Sequence, residues 1–220
     1  MLDRIHEDCD TLTQVYSSSS LLRRFIYFIS TTVCLNTLLG EKGDGLLERC
    51  IVAGVRPYEI VLAHVCSLSF VVVAQDLLLL FVGFVVFELP SRGSLFDVII
   101  IAIMQGMCGM ALGLMCSAVL DNTTTAAMIV DGINYPIMMT SGYDKFLSPR
   151  VAGILWPLEG IPKVVRYFSY LMPLTLPADS LRSVMSKGWG LTHPNVLMGL
   201  LVNTGWTIFF IVSCMLLFRQ

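Results

Sequence analysis

Gly45-Leu-Leu-Glu-Arg-Cys-Ile-Val-Ala-Gly-Val-Arg-Pro-Tyr-Glu-Ile-Val-Leu-Ala-His64 interrupts two long apolar runs, and its reading decides the rest. Leu46, Leu47, Ile51 and Val52 offer an apolar surface, and Glu48 and Arg49 supply adjacent opposite charges. This pattern predicts a short amphipathic helix. The Gly54-Val-Arg-Pro57 stretch then reads as a turn, because Gly and Pro end one helix and start the next. Beyond it Arg56 and Glu59 form a second close pair of opposite charges. A charged helix wedged between apolar runs is placed to meet something in the aqueous phase.

The apolar runs on either side define the class. The chain has 220 residues, of which 55% are hydrophobic and 14% charged, and its mean hydropathy is +0.76. A soluble domain would carry about 25% charge, and a bilayer span needs roughly 20 apolar residues. The expectation is therefore an all-α integral membrane protein, multi-pass, with about five crossings. A net charge of −2 gives no basis for nucleic acid as a partner. Residues 1–20 are polar, with Asp3, Glu7, Asp8, Asp10 and the Ser17–Ser20 run, and read as a poorly ordered segment without signal-peptide character. Residues 21–220 then form the membrane domain.

Five stretches qualify as spans. Phe25–Leu39 is the first and is short, about 22 Å as a helix, with Arg23 and Arg24 before it able to snorkel to an interface. Ile60–Phe87 is the longest and is broken only by Gln75 and Asp76. Leu95–Leu120 carries Gly106, Gly109 and Gly113, a spacing that lets two membrane helices approach closely. Ala126–Ser141 is weaker, with Asp131, Gly132, Asn134 and Pro136 inside it. Val196–Phe218 is the last. Before it, Ala178–Ser186 reads as an amphipathic helix with Leu181 and Val184 on its apolar side.

Chemistry-bearing motifs are few. The seven cysteines are irregularly spaced, mostly within apolar runs, and read as small buried hydrophobes. His6, His64 and His193 are isolated from partner ligands, so no metal site is expected. No GxxxxGK[ST] loop, HExxH or GxSxG occurs, so no catalytic residue is assigned and nucleotide chemistry has no cradle in this chain. Gln75, Asp76, Gln105, Asp131 and Asn134 are the intramembrane polar candidates, because ionisable groups inside spans are costly and often functional. Satisfaction by a neighbouring helix explains them more simply than an ion pathway does.

The polar interruption has a companion in Trp156-Pro-Leu-Glu-Gly-Ile-Pro162, followed by Pro173-Leu-Thr175 and Leu181-Arg182. Together, in this order and with two spans between, the two stretches resemble the transmembrane domain of ABC exporters of the type-2 permease superfamily, the G/H-type half-transporters especially. The resemblance covers roughly Phe25 to Arg219. It implies that Glu48–Val55 is a coupling helix docking on an ABC ATPase domain, with Glu48, Arg49, Gly54, Val55, Arg56 and Glu59 at that junction. It also implies an outer-face re-entrant segment near the exit gate, with Trp156, Pro157, Glu159, Gly160, Pro162, Pro173, Thr175 and Arg182.

The function implied is export of a lipid or hydrophobic small molecule across the plasma membrane, by two half-transporters paired as a homo- or heterodimer. ATP and Mg would be held by the ATPase domain. That domain and a first span, which family members carry ahead of this region, are absent here, and Tyr143–Gly153 looks inserted. Two rival readings accompany this one: a non-transporting truncated subunit, and an ion-coupled secondary transporter using Asp76 and Asp131. The distribution of Lys and Arg would place the interruption outside; the resemblance places it in the cytosol.

Overall fold

The computed structural model describes residues 2–85, 94–140 and 193–217, with single positions between 177 and 184. Its helices are α1 (Leu2–Gly43), α2 (Leu46–Val52), α3 (Pro57–Val85), α4 (Leu95–Val119), α5 (Thr123–Thr140) and α6 (Pro194–Leu217). All described regular structure is helical. Three helices, Tyr58–Val85, Leu95–Val119 and Pro194–Leu217, are long and apolar enough to cross a membrane. α3, at 29 residues, is about 43 Å long against a hydrocarbon core of about 30 Å. α1 and α5 join them in the bundle but are more polar. α1 also reaches back through the Ser17–Ser20 run, which the sequence placed in a loop.

Glycines on α4 set the tightest crossing. A Cβ at Gly109 would lie 2.6 Å from the Tyr27 carbonyl oxygen, and one at Gly113 would lie 2.5 Å from that of Thr31. Real side-chain carbons do not approach so closely, so only glycine lets α4 lie flat on α1. Gly106 faces α3 instead, against Val72 and Asp76. The expected glycine face is thus split: two residues serve α1 and one serves α3.

These contacts also give direction. Gly109 meets Tyr27 to Thr31 and Gly113 meets Thr31 to Leu35, so α1 and α4 run parallel. Gln75 Nε2 of α3 donates to Ser30 Oγ of α1 at 3.2 Å, and His64 near the start of α3 meets Glu41 near the end of α1. α3 is therefore antiparallel to α1. Val196 and Leu200 of α6 pack with Val98 and Ile101 of α4, whereas Cys214 Sγ lies 3.5 Å from the Leu114 carbonyl. α6 is parallel to α4.

One end of the bundle thus collects the ends of α1, α4 and α6, the starts of α3 and α5, and the α2 helix. Beneath α2 lies a core of Cys34, Leu38, Val61, Leu68, Met110, Leu114 and Cys214, contributed by four helices. At the opposite end Leu181 and Val184, both helical and buried, pack with Leu22, Ile26, Val98 and Val196. The side of the Ala178–Ser186 segment expected to be apolar is the buried one. Leu181 and Val184 form a small roof at that end, where Arg23 is only 1% exposed rather than reaching outward.

Candidate functional site

α2 is built by its termini. Gly45 enters at φ 69° and its carbonyl accepts from Arg49 N at 3.3 Å, the first bond of the helix. At the other end Val55 N donates to Cys50 O at 3.1 Å and Gly54 N to Ile51 O at 3.0 Å. With Gly54 at φ 86°, this is a Schellman stop, and Pro57 follows where no helix can continue. The helix thus ends at Val52, three residues before the expected Val55, so Gly54 and Val55 belong to the turn.

α3 starts from the same turn. Pro57 occupies its first position, where its missing N–H costs nothing. Glu59 Oε2 accepts from the Arg56 backbone N–H at 3.1 Å, half of a capping box. The Arg56 guanidinium donates to Tyr58 Oη at 3.2 Å. The two residues therefore meet through the backbone, and Glu59 serves the helix start.

The side chains of α2 divide by direction. Leu47 packs inward against the four-helix core. Arg49, Cys50, Ile51 and Val52 are exposed, Val52 at 88%, as are Gly54, Val55, Arg56 and Glu59. Glu48 lies on the helix. The surface is a small apolar crown of Leu46, Ile51 and Val52 edged by charge, raised at one end of the bundle and held by one apolar foot.

Immediately before this surface, α1 makes two long-range contacts that sequence reading missed. Lys42 Nζ pairs with Asp121 Oδ1 at 2.5 Å and donates to the Leu120 carbonyl at 3.4 Å. His64 Nε2 lies 3.3 Å from Glu41 Oε2. The only signal in the sequence was that each charge sits at the end of an apolar run.

The intramembrane polar candidates are scattered. Asp76 and Gln105 are fully buried, and among the described residues neither Asp76 oxygen and neither Gln105 amide atom has a hydrogen-bond partner. Asn134 on α5 is also buried without a partner for its amide. Gln75 is bonded to Ser30. Asp131 is half-buried on α5, while Asp76 lies between α3 and α4. No described contact joins the two aspartates. Among the described residues no three metal-ligating side chains come together. The Trp156, Pro157, Glu159, Gly160, Pro162, Pro173, Thr175 and Arg182 positions lie outside the described residues, as does the Tyr143–Gly153 stretch.

The family model for ABC-2 family transporter proteins matches residues 11–218, nearly the whole chain. The chain belongs to the ABC-2 transporter family. Within it, ABC transporter G family member 20 of Dictyostelium discoideum is 30% identical over 196 residues, covering 89% of this chain and 25% of the relative. ABC transporter G family member 23 of the same organism is 25% identical over 187 residues, covering 83% of this chain and 25% of the relative. The chain spans about a quarter of the length of these curated relatives. Family membership and the apolar helices make this an integral membrane protein of the ABC-transporter permease type.

Proposed function

We propose that this chain is the membrane permease of an ABC exporter, coupled through α2 to an ATPase domain that binds the ATP and Mg. The observation that carries this reading is the position of α2, an exposed apolar and charged crown at the end of the bundle opposite the Leu181 and Val184 roof. A helix so placed offers an aqueous docking surface while its Leu47 foot touches a core shared by four helices. Push on α2, and the core beneath it must respond. The chain itself then needs no catalytic residue.

The transported molecule is a lipid or hydrophobic small compound, moved between two half-transporters in the plasma membrane. The bundle surface supports a paired arrangement. Mid-helix outward residues of α3 and α6, such as Phe70, Phe81, Leu201 and Ile208, are apolar and exposed, as lipid requires. The open sides of α1 and α5 are mixed: Asn36, Thr37, Gly132 and Tyr135 are exposed and Asp131 is half-buried, beside exposed Phe25, Met128, Ile129 and Ile133. α1 and α5 pack together, and in this reading the polar positions among their exposed residues mark the side that meets a partner half.

Reversing the charge at Arg49, with Arg49→Glu in the complete transporter, tests the docking. Export should fall while ATP hydrolysis persists, measured in proteoliposomes. Coupled export at the wild-type ratio would refute the assignment of α2. The ion-coupled alternative draws support from the buried Asp76 carboxylate, which has no hydrogen-bond partner among the described residues; it requires flux driven by a pH gradient without ATP.

A further inference from the structure

We infer that the last turn of α1 is a two-armed strap that carries displacement of α2 separately into α3 and into the α4–α5 turn. This rests on the reading of α2 as the coupling helix and names the residues that would transmit its motion. Glu41 and Lys42 are consecutive, and only Gly43, Asp44 and Gly45 separate them from the start of α2. Being consecutive, they point roughly a hundred degrees apart around the helix axis. Each reaches a different element: Glu41 to His64 on α3, and Lys42 to Asp121 and the Leu120 carbonyl.

The second arm is anchored twice. Leu120 is the residue that ends α4, its own N–H bonded to Cys116 O at 3.1 Å. Asp121 follows at once, and Asn122 accepts from Ala126 N at 2.8 Å in the first turn of α5. Lys42 therefore grips the joint between α4 and α5 rather than the side of either helix. Asp121 is 82% exposed and Lys42 28%, so the pair adds little to stability. Its position before the α1–α2 turn, and its exposed partner, suit a link that moves with α2. Among the described residues, these are the polar contacts that run from the end of α1 to α3 and the α4–α5 turn.

Hydrogen–deuterium exchange of the complete transporter in nanodiscs, with and without vanadate-trapped Mg-ATP, reads each arm. In the wild type, trapping should change protection at residues 46–54, at 57–64 and at 118–126, by about tenfold if the coupling is of ordinary allosteric size. Lys42→Gln should abolish the response at 118–126 and keep the other two. Glu41→Gln should abolish it at 57–64 alone. Lys42→Asp combined with Asp121→Lys should restore part of the response at 118–126, through the ion pair without the Leu120 bond. A purely structural role predicts instead faster exchange along α1 before nucleotide is added, with no selective loss. A full response at 118–126 in Lys42→Gln overturns the strap. Absence of any response at 46–54 in the wild type overturns the coupling reading beneath it, so the two failures are distinguishable.

Discussion

Asp76 and the three α4 glycines show how much a single side chain decides inside a membrane bundle. A carboxylate with no donor among the described residues adds nothing to packing that an amide of the same shape would lack, and burying a charge is costly. Asp76→Asn should therefore leave thermal stability in detergent unchanged or raised, with ATP-driven export retained. Loss of export at unchanged stability would instead give Asp76 a part in transport. The glycines differ from one another. At Gly109 and Gly113 an added methyl meets α1 backbone, which cannot rotate away. At Gly106 it meets only side chains, the end of Asp76 and Val72 Cγ1 at 2.8 Å, which can shift where backbone cannot. Gly113→Ala should cost about 1–3 kcal/mol by overpacking, visible as a lowered melting temperature. Gly106→Ala should cost clearly less, and equal losses at both sites would contradict this packing.

α2 is an element whose geometry was largely written in the sequence. Gly54, Pro57 and Glu59 are local signals for a helix stop and a helix start, and local signals can be read without knowing what packs where. Three of the five expected spans, those on α3, α4 and α6, were legible for the same reason, since lipid demands long apolar runs. What could not be read was tertiary: that Leu47 alone turns inward, that Lys42 finds Asp121, and that the glycines divide between two neighbours. Those depend on which helices touch. Gly54 offers the sharpest check at this scale. A Cβ there would have nothing within 4 Å, so any penalty is conformational, arising from φ 86°. Left-handed geometry costs an ordinary residue about 1–2 kcal/mol, and Asn less. Gly54→Asn should retain coupled export, whereas β-branched Gly54→Val should reduce it. The ratio of export to ATP hydrolysis in proteoliposomes ranks the two, and a Val variant equal to wild type would show that the turn is not under constraint.

Across the whole molecule the two ends of the bundle differ in what they carry, and the proposed function gives them different tasks. Parallel α1, α4 and α6 gather their C-terminal ends beneath α2, so force applied there acts along three helices at once. Counting Lys and Arg along the sequence places the α2 end outside, whereas the proposed docking of α2 needs it in the cytosol. The helix directions group the same charges at one end: Lys42, Arg49 and Arg56 lie with α2. The sides are told apart by lipid. Phe70 is 81% exposed at the middle of α3, where lysine would face hydrocarbon at a cost of roughly 3 kcal/mol. Gly132, at the middle of α5 beside Asp131, is exposed with open space around it. If the α5 side looks onto a water-accessible path between two halves, lysine is tolerated there. Phe70→Lys should thus sharply reduce the amount of correctly inserted, monodisperse transporter recovered from membranes, while Gly132→Lys should give near wild-type recovery. Equal loss from both would mean that α5 faces lipid, and that the path runs along another side of the bundle.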